Sequence, residues 1–356
     1  MSDQLKELRE QIDRLDDQLL QLLNQRAALA QQIGHLKEDG TVLRPEREAQ
    51  ILNRLQTDNA GPLSHAAVAR LFTEVMSQCR ALEASLIVAH LGPMGTYTEE
   101  AVIKRFGSAA TRVASTSIDE VFRATEGGAV NFGVVPVENS TEGAIGRTLD
   151  LLTGSQLRIC GEVLLPIHHC FLMQYGPMFD GRIQQIVAHP QALAQCQGWL
   201  NANFPNAARI PVASNAEGAR LAAQDASKAA IAGEQASALF SLDIWAHSIE
   251  DDPRNTTRFL VIGNLDVAPS GRDKTSLVLA APNRPGAVHD LLTPLAKHGV
   301  SMTKLESRPA RSGLWEYLFY LDIEGHQHDT KVAAALNELK QQAAAFKILG
   351  SYPVAV

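Results

Sequence analysis

Residues 8–37 read LREQIDRLDDQLLQLLNQRAALAQQIGHLK. Across this stretch Leu8, Ile12, Leu15, Leu19, Leu22, Leu29, Ile33 and Leu36, preceded by Leu5, keep the spacing of three and four that marks one apolar seam on a helix. The spacing predicts an unbroken helix of about 33 residues, ~50 Å long, more than a three-helix monomer of this size can cover. A second chain is therefore expected along the seam, giving an intertwined homodimer or a higher homo-oligomer. Where the seam should continue stands Arg26. Lys37 lies about 20° further round the helix, at about 100° per residue, so both cations project toward one side. Arg9 falls on a different face and is expected to serve the partner's side.

Outward from this helix, charge keeps turning inward. Gly40 to Pro45 and Gly61-Pro62 interrupt the helical pattern and divide an all-α domain, residues 1–85, into three helices. In the second, Glu48 shares a stripe with Leu52 and Leu55, and Arg47 is its neighbour. In the third, Val68, Leu71, Phe72, Val75, Met76 and Cys79 form a stripe that ends at Glu83. An unpaired buried charge costs several kcal/mol, so inward charges of both signs call for a polar occupant, an anion carrying hydroxyls.

At roughly 100 to 200 residues per domain, a chain of 356 residues should hold two or three domains. Its 45% hydrophobic and 20% charged residues are those of a globular protein and set aside a disordered chain. With 32 Lys+Arg against 39 Asp+Glu, the formal charge is −7, so no basic excess favours nucleic acid. No apolar run approaches the ~18 residues that would span a bilayer, and the start, MSDQLKELREQ, is polar. No membrane partner and a cytoplasmic location are expected. Cys79, Cys160, Cys170 and Cys196 show no CxxC spacing, so neither a disulfide framework nor a metal site is expected.

From Leu86 the texture changes to short apolar runs (SLIVAHL, FGVVPV, QIVA, AAIAG, RFLVIG) between Ala-rich helical stretches, an α/β domain over residues 86–265. Residues 272–356 then read strand, helix, strand, strand, helix, strand, a ferredoxin-like βαββαβ unit. In the middle domain, LGPMGTYTEEA is either a tight turn or a cradle for a carboxylate. GVVPVENSTEG ends an apolar strand in Glu138, Asn139 and Ser140, and such strand ends face the ligand crevice of open α/β sheets. His189-Pro190-Gln191 and Ser214-Asn215 sit at strand-to-helix junctions, and NTTRFLVIG puts Thr257 and Arg258 at the mouth of another apolar strand. His168 and His169, adjacent on a strand, point to opposite faces and cannot share a metal. In the last domain NRPGAVHDLL sets Asn283, Gly286, Ala287 and Val288 at a helix start, where free N–H groups favour a carboxylate. Glu306 and Ser307, in ESRP, are placed to meet an ammonium.

The seam helix followed by RPEREAQIL resembles the all-helical chorismate mutases. That resemblance implies rearrangement of chorismate to prephenate without cofactor, by positioning and electrostatics. It implies that Arg26, with Arg9 of the other chain, holds the two carboxylates and that Lys37 meets the ether oxygen. Glu48 would hold the ring hydroxyl beside Arg47, while Glu83 and Cys79 stand where that family places a glutamine and a serine. GPMGTYTEEA, VPVENSTEG, HPQAL and TTRF, in this order, resemble prephenate dehydratase, which implies a periplasmic-binding-like α/β fold and conversion of prephenate to phenylpyruvate, again without cofactor. Thr257 is then the catalytic hydrogen-bond donor, Arg258 a carboxylate anchor, Glu138 the ionisable partner, and Asn139, Ser140 and Ser214 substrate contacts. PGAV and ESRP resemble the amino-acid-binding ACT regulatory domain and imply feedback inhibition by phenylalanine through Asn283, Gly286, Ala287, Val288, Glu306 and Ser307. The competing reading is a non-catalytic amino-acid sensor with a helical dimerisation stalk. The inward Arg26, Lys37 and Glu48 oppose it, since a stalk would keep leucine in its seam.

Overall fold

The computed structural model describes residues 2–36, 42–174, 183–282, 284–310 and 317–355. Three helices open the chain: α1 (Ser2–Leu36), α2 (Pro45–Asp58) and α3 (His65–Ala81). Pro45 starts α2, where a missing N–H costs nothing, and the Ser64 hydroxyl caps α3 by accepting from the Ala67 N–H. α1 meets α3 near its C-terminal end, where Gly34 packs against the Glu83 side chain. Along the rest of α1, Leu5, Leu8, Ile12, Leu15, Leu19, Leu22, Leu29, Ile33 and Leu36 are each 51–81% exposed. The seam predicted from spacing is present and uncovered in a single chain.

The middle domain has two lobes. The first holds β1 (Ile87–Leu91), α4 (Tyr97–Phe106), β2 (Thr111–Ser115), α5 (Ile118–Glu126), β3 (Phe132–Asn139), β4 (Gly143–Ala144), α6 (Gly146–Gly154) and β5 (Arg158–Pro166). The second holds β6 (Cys170–Met173), β7 (Gln185–Ala188), α7 (Pro190–Gln195), α8 (Gln197–Asn203), β8 (Ala208–Pro211), α9 (Asn215–Ala222), β9 (Lys228–Ala232), α10 (Glu234–Phe240) and β10 (Asp243–Ala246). β11 (Thr256–Gly263) then returns to the first lobe, so the chain crosses between lobes twice, before β6 and before β11. The first sheet runs β2-β1-β3-β11-β5, with β11 antiparallel to both neighbours, and the second runs β10-β6-β9-β7-β8. This is the expected periplasmic-binding-like arrangement, with its crevice at the crossings.

The last domain comprises β12 (Asp273–Ala280), α11 (Ala287–His298), β13 (Met302–Pro309), β14 (Tyr317–Glu324), α12 (Thr330–Gln342) and β15 (Ala345–Pro353). Its antiparallel sheet runs β13-β14-β12-β15, the ferredoxin-like order. One face is covered by the two helices, with Leu277, Leu279, Leu291, Leu321 and Leu336 between. The other lies directly on the first lobe, where Val278, Tyr320, Leu349 and Tyr352 share a core with Leu149, Ile159 and Leu260. β15 can lie on β5 because of Gly350, whose Cβ, if it had one, would stand 2.2 Å from the Ile159 carbonyl oxygen. Among the described residues no helix is long and apolar enough to cross a membrane. All four cysteines are buried thiols.

Candidate active sites

Thr257 is the second residue of β11 and is opposite Asn139, the last residue of β3. The Asn139 amide donates to Thr257 Oγ1 at 2.8 Å and to Asn255 Oδ1 at 2.9 Å. Its orientation is fixed, because Asn139 Oδ1 accepts from the backbone N–H groups of Thr141 and Glu142, which have only hydrogen to offer. Thr257 Oγ1 must therefore accept from Asn139, and its own proton is left to donate elsewhere. Four side chains close a ring here. Asn139 donates to Asn255, Asn255 to Gln195 Oε1 at 3.1 Å, Gln195 Nε2 to Thr141 Oγ1 at 3.0 Å, and Thr141 Oγ1 back to Asn139 Oδ1 at 2.6 Å. Gln195 comes from the second lobe, so the ring sits where the lobes meet. On its far side His169 Nε2 lies 2.9 Å from Gln195 Oε1, and its Nδ1 lies 2.8 Å from the Tyr97 hydroxyl.

Successive residues of a strand face opposite sides, and this alternation corrects two expectations. Arg258, one step from Thr257, points to the back of the sheet. Its guanidinium donates to Glu162 at 2.7 Å, to Asp322 at 2.5 Å and to the Tyr352 hydroxyl at 2.9 Å. Burial alone would lower its pKa, but Tyr352, Asp322 and Glu162 raise it above the ordinary arginine value. It ties the α/β domain to the last domain and does not anchor a substrate carboxylate. Glu138, opposite Arg258, also faces backward and accepts from Lys304 at 2.6 Å, so it is not the ionisable partner of Thr257. Ser140 continues the strand pairing, its hydroxyl accepting from the Thr256 N–H at 3.0 Å. Ser214 is a cap, accepting from the Glu217 N–H at 3.1 Å at the start of α9.

In the helical segment Arg9 and Arg47 are exposed, Arg26 and Glu83 are half-buried, and Cys79 is buried on α3. Lys37 lies outside the described residues. Glu48 departs from expectation: one carboxylate oxygen binds Arg80 and the other accepts from Arg105 of α4 at 2.7 Å. It fastens α2 to α3 and to the α/β domain, a tie that the helical stripe did not predict. In the last domain Gly286 is left-handed, with φ 76°, immediately before α11. Ala287 is buried and Val288 is 39% exposed, while Asn283 lies outside the described residues. Glu306 and Ser307 do not face one ligand together. Lys304 and Arg308 reach Glu138 and Asp150 of the α/β domain, so Glu306, between them, faces that domain and Ser307 the opposite side.

Three family models match in succession: Chorismate mutase type II over residues 8–84, Prephenate dehydratase over 88–266 and ACT domain over 275–341. A bifunctional chorismate mutase/prephenate dehydratase of Neisseria gonorrhoeae is 53% identical over 98% of this chain and 96% of its own length. The chain belongs to the bifunctional chorismate mutase/prephenate dehydratase family. A Pseudomonas aeruginosa member of the family is 47% identical over 99% of each chain. The solved structure of a prephenate dehydratase in complex with L-Phe, from Arthrobacter aurescens, is 35% identical with a TM-score of 0.70. It covers 75% of this chain and 90% of that one. For a bifunctional mutase/dehydratase the ring around Thr257 is the part that sequence reasoning left incomplete. Asn139 carried a motif signal, but Gln195 ends a short helix with no special spacing, Asn255 reads as a turn residue, and Tyr97 and His169 stand far apart in sequence.

Proposed function

We propose that residues 1–85 rearrange chorismate to prephenate, residues 86–265 convert prephenate to phenylpyruvate, and residues 272–356 bind phenylalanine as feedback inhibitor. The observation that carries the dehydratase reading is the orientation of Thr257, whose oxygen accepts from Asn139 and whose proton has no acceptor bonded to it among the described residues. In the reaction the carbon–carbon bond to the ring carboxylate breaks to release carbon dioxide. The electron pair moves through the ring, and the ring hydroxyl leaves with one added proton as water. Aromatisation drives the step, so the protein needs only to frame the dianion and to hydrogen-bond the leaving hydroxyl. A threonine hydroxyl is a very weak acid, and Thr257 serves as donor or relay.

For the mutase the supporting geometry is length. Arg9 and Arg26 are 17 positions apart on one straight helix, about 26 Å along its axis, too far to grip one small dianion. Arg26 and Lys37 of one chain with Arg9 of a second copy form the shared site, and Glu83 stands at its ether-oxygen end. Covering the exposed seam would gain on the order of 1 kcal/mol for each half-exposed leucine or isoleucine, which supports a homodimer. For regulation, the L-Phe complex of the Arthrobacter aurescens enzyme and the left-handed Gly286 before α11 support a phenylalanine site here. Purified protein given chorismate should yield phenylpyruvate, less of it with phenylalanine present. Prephenate accumulating alone would remove the dehydratase assignment, and unconsumed chorismate the mutase assignment.

A further inference from the structure

The ring that holds Asn139 has a direction, and one group outside it is bonded to a ring member in the sense that this direction requires. His169 is 2% exposed and bonded at both nitrogens. Gln195 Oε1 already accepts from Asn255, and Gln195 Nε2 donates to Thr141. Turning the Gln195 amide over would force Asn255 to turn, and its nitrogen would then meet the Asn139 nitrogen that the backbone holds in place. Gln195 therefore presents an acceptor to His169, and His169 Nε2 must carry hydrogen. The opposite neutral tautomer would set two lone pairs against each other at 2.9 Å. Tyr97 completes the selection. Its single proton goes to His169 Nδ1 when Nε2 is protonated, although the His168 carbonyl, at 3.0 Å, is an alternative acceptor. Burial holds the imidazole's pKa below its ordinary value, which keeps the ring neutral.

We propose that His169, backed by Tyr97, is a positioning residue of the dehydratase: its Nε2–H holds Gln195 in place within the ring that braces Asn139, the residue that turns the Thr257 proton toward substrate. The three elements involved come from different parts of the domain. Tyr97 opens α4 in the first lobe, His169 lies on the crossing into β6, and Gln195 ends α7 in the second lobe. The ring is thus also a record of how closely the lobes approach. The inference rests on the dehydratase reading above.

His169→Phe keeps a ring of similar bulk against Tyr97, now 5.6 Å away edge to face, and removes the donor. The full chain carrying it should lose roughly 10- to 100-fold in dehydratase kcat, the scale of a catalytic group misplaced by about 1 Å. KM for prephenate should move less than about threefold, mutase turnover should stay unchanged, and Tyr97→Phe should give a smaller loss of the same kind. His169→Gln, which restores an N–H donor, should recover part of the loss. Independently, nitrogen NMR of histidine-labelled wild-type protein, with the His169 signal identified from the variant, should show the neutral Nε2–H tautomer. Unchanged dehydratase kcat in His169→Phe, or an Nδ1–H tautomer in the wild type, overturns the proposal. If His169→Phe also loses mutase turnover, folding is implicated and the tautomer measurement decides. Wild-type protein that makes prephenate but no phenylpyruvate would instead sink the dehydratase reading, and this proposal with it.

Discussion

Replacing Arg258 by methionine separates two roles that the TTRF motif leaves combined. The guanidinium is 10% exposed and donates to Glu162, Asp322 and Tyr352. Removing it leaves Glu162 with Lys274, whose ammonium lies 2.9 Å away, so that carboxylate keeps a counter-ion. Among the described residues, the Asp322 carboxylate is then left with the neutral Ser276 hydroxyl. Removing one partner of a buried pair costs about 3–5 kcal/mol, and the surviving Lys274 contact places this case near the lower end, about 3 kcal/mol. That is roughly a hundredfold in the folding equilibrium. The first urea transition should move to clearly lower denaturant, while prephenate KM, measured well below that transition, should stay within about threefold of wild type. Replacing Arg258 and Asp322 together by methionine and leucine should restore much of the loss, since neither charge is then left alone. A folded, fully stable Arg258→Met whose prephenate KM has risen by thirtyfold or more would refute the reasoning and return Arg258 to the substrate.

Mixing inactive Arg9→Ala and Arg26→Ala chains by co-refolding should restore part of the mutase activity, because one mixed site is intact; mixtures that stay inactive would mean that each site lies within one chain. Gly286→Val should weaken phenylalanine binding in calorimetry and relieve inhibition, because a β-branched residue is strained at φ 76° and would shift the backbone before α11; undiminished binding would place the site elsewhere. Burial pushes the Cys160 thiol up to about 12 and the Cys170 thiol up to about 11. Both are raised, so the stability they contribute is complete below the unfolded value near 9 and is lost as pH rises through 11 and 12. At pH 8 the native thiolate fraction is on the order of one in a thousand or less, and a disulfide reagent should label these two only after denaturation; rapid native labelling of either would contradict their burial.

The three-part architecture was legible because each part has its own hydrophobic period: three-four in the seam helix, short apolar runs between helices in the middle, and βαββαβ at the end. The site was legible as motifs and less so as roles. In TTRFLVIG nearly every residue is buried, so no polar alternation marks which face looks at substrate, and Thr257 and Arg258 read alike. The same alternation separates Asn139 from Glu138 and Ser307 from Glu306. Glu48 matched its inward stripe, but its partner Arg105 lies in another domain, where helical periodicity has no reach. Gln195 and His169 became visible only when two lobes met. Contacts of that kind leave no trace in local spacing.

The sheet of the last domain has no free underside. Val278, Tyr320, Leu349 and Tyr352 are as much the floor of the first lobe as part of their own domain, and each is 4% exposed or less. Cutting the chain before β12 would bare that floor together with the carboxylate of Glu162, stripped of Lys274. A chain cut there would turn this apolar surface to water, and large exposed apolar patches are aggregation liabilities. A single substitution at the phenylalanine site proposed above leaves this floor covered, whereas deletion of the last domain uncovers it.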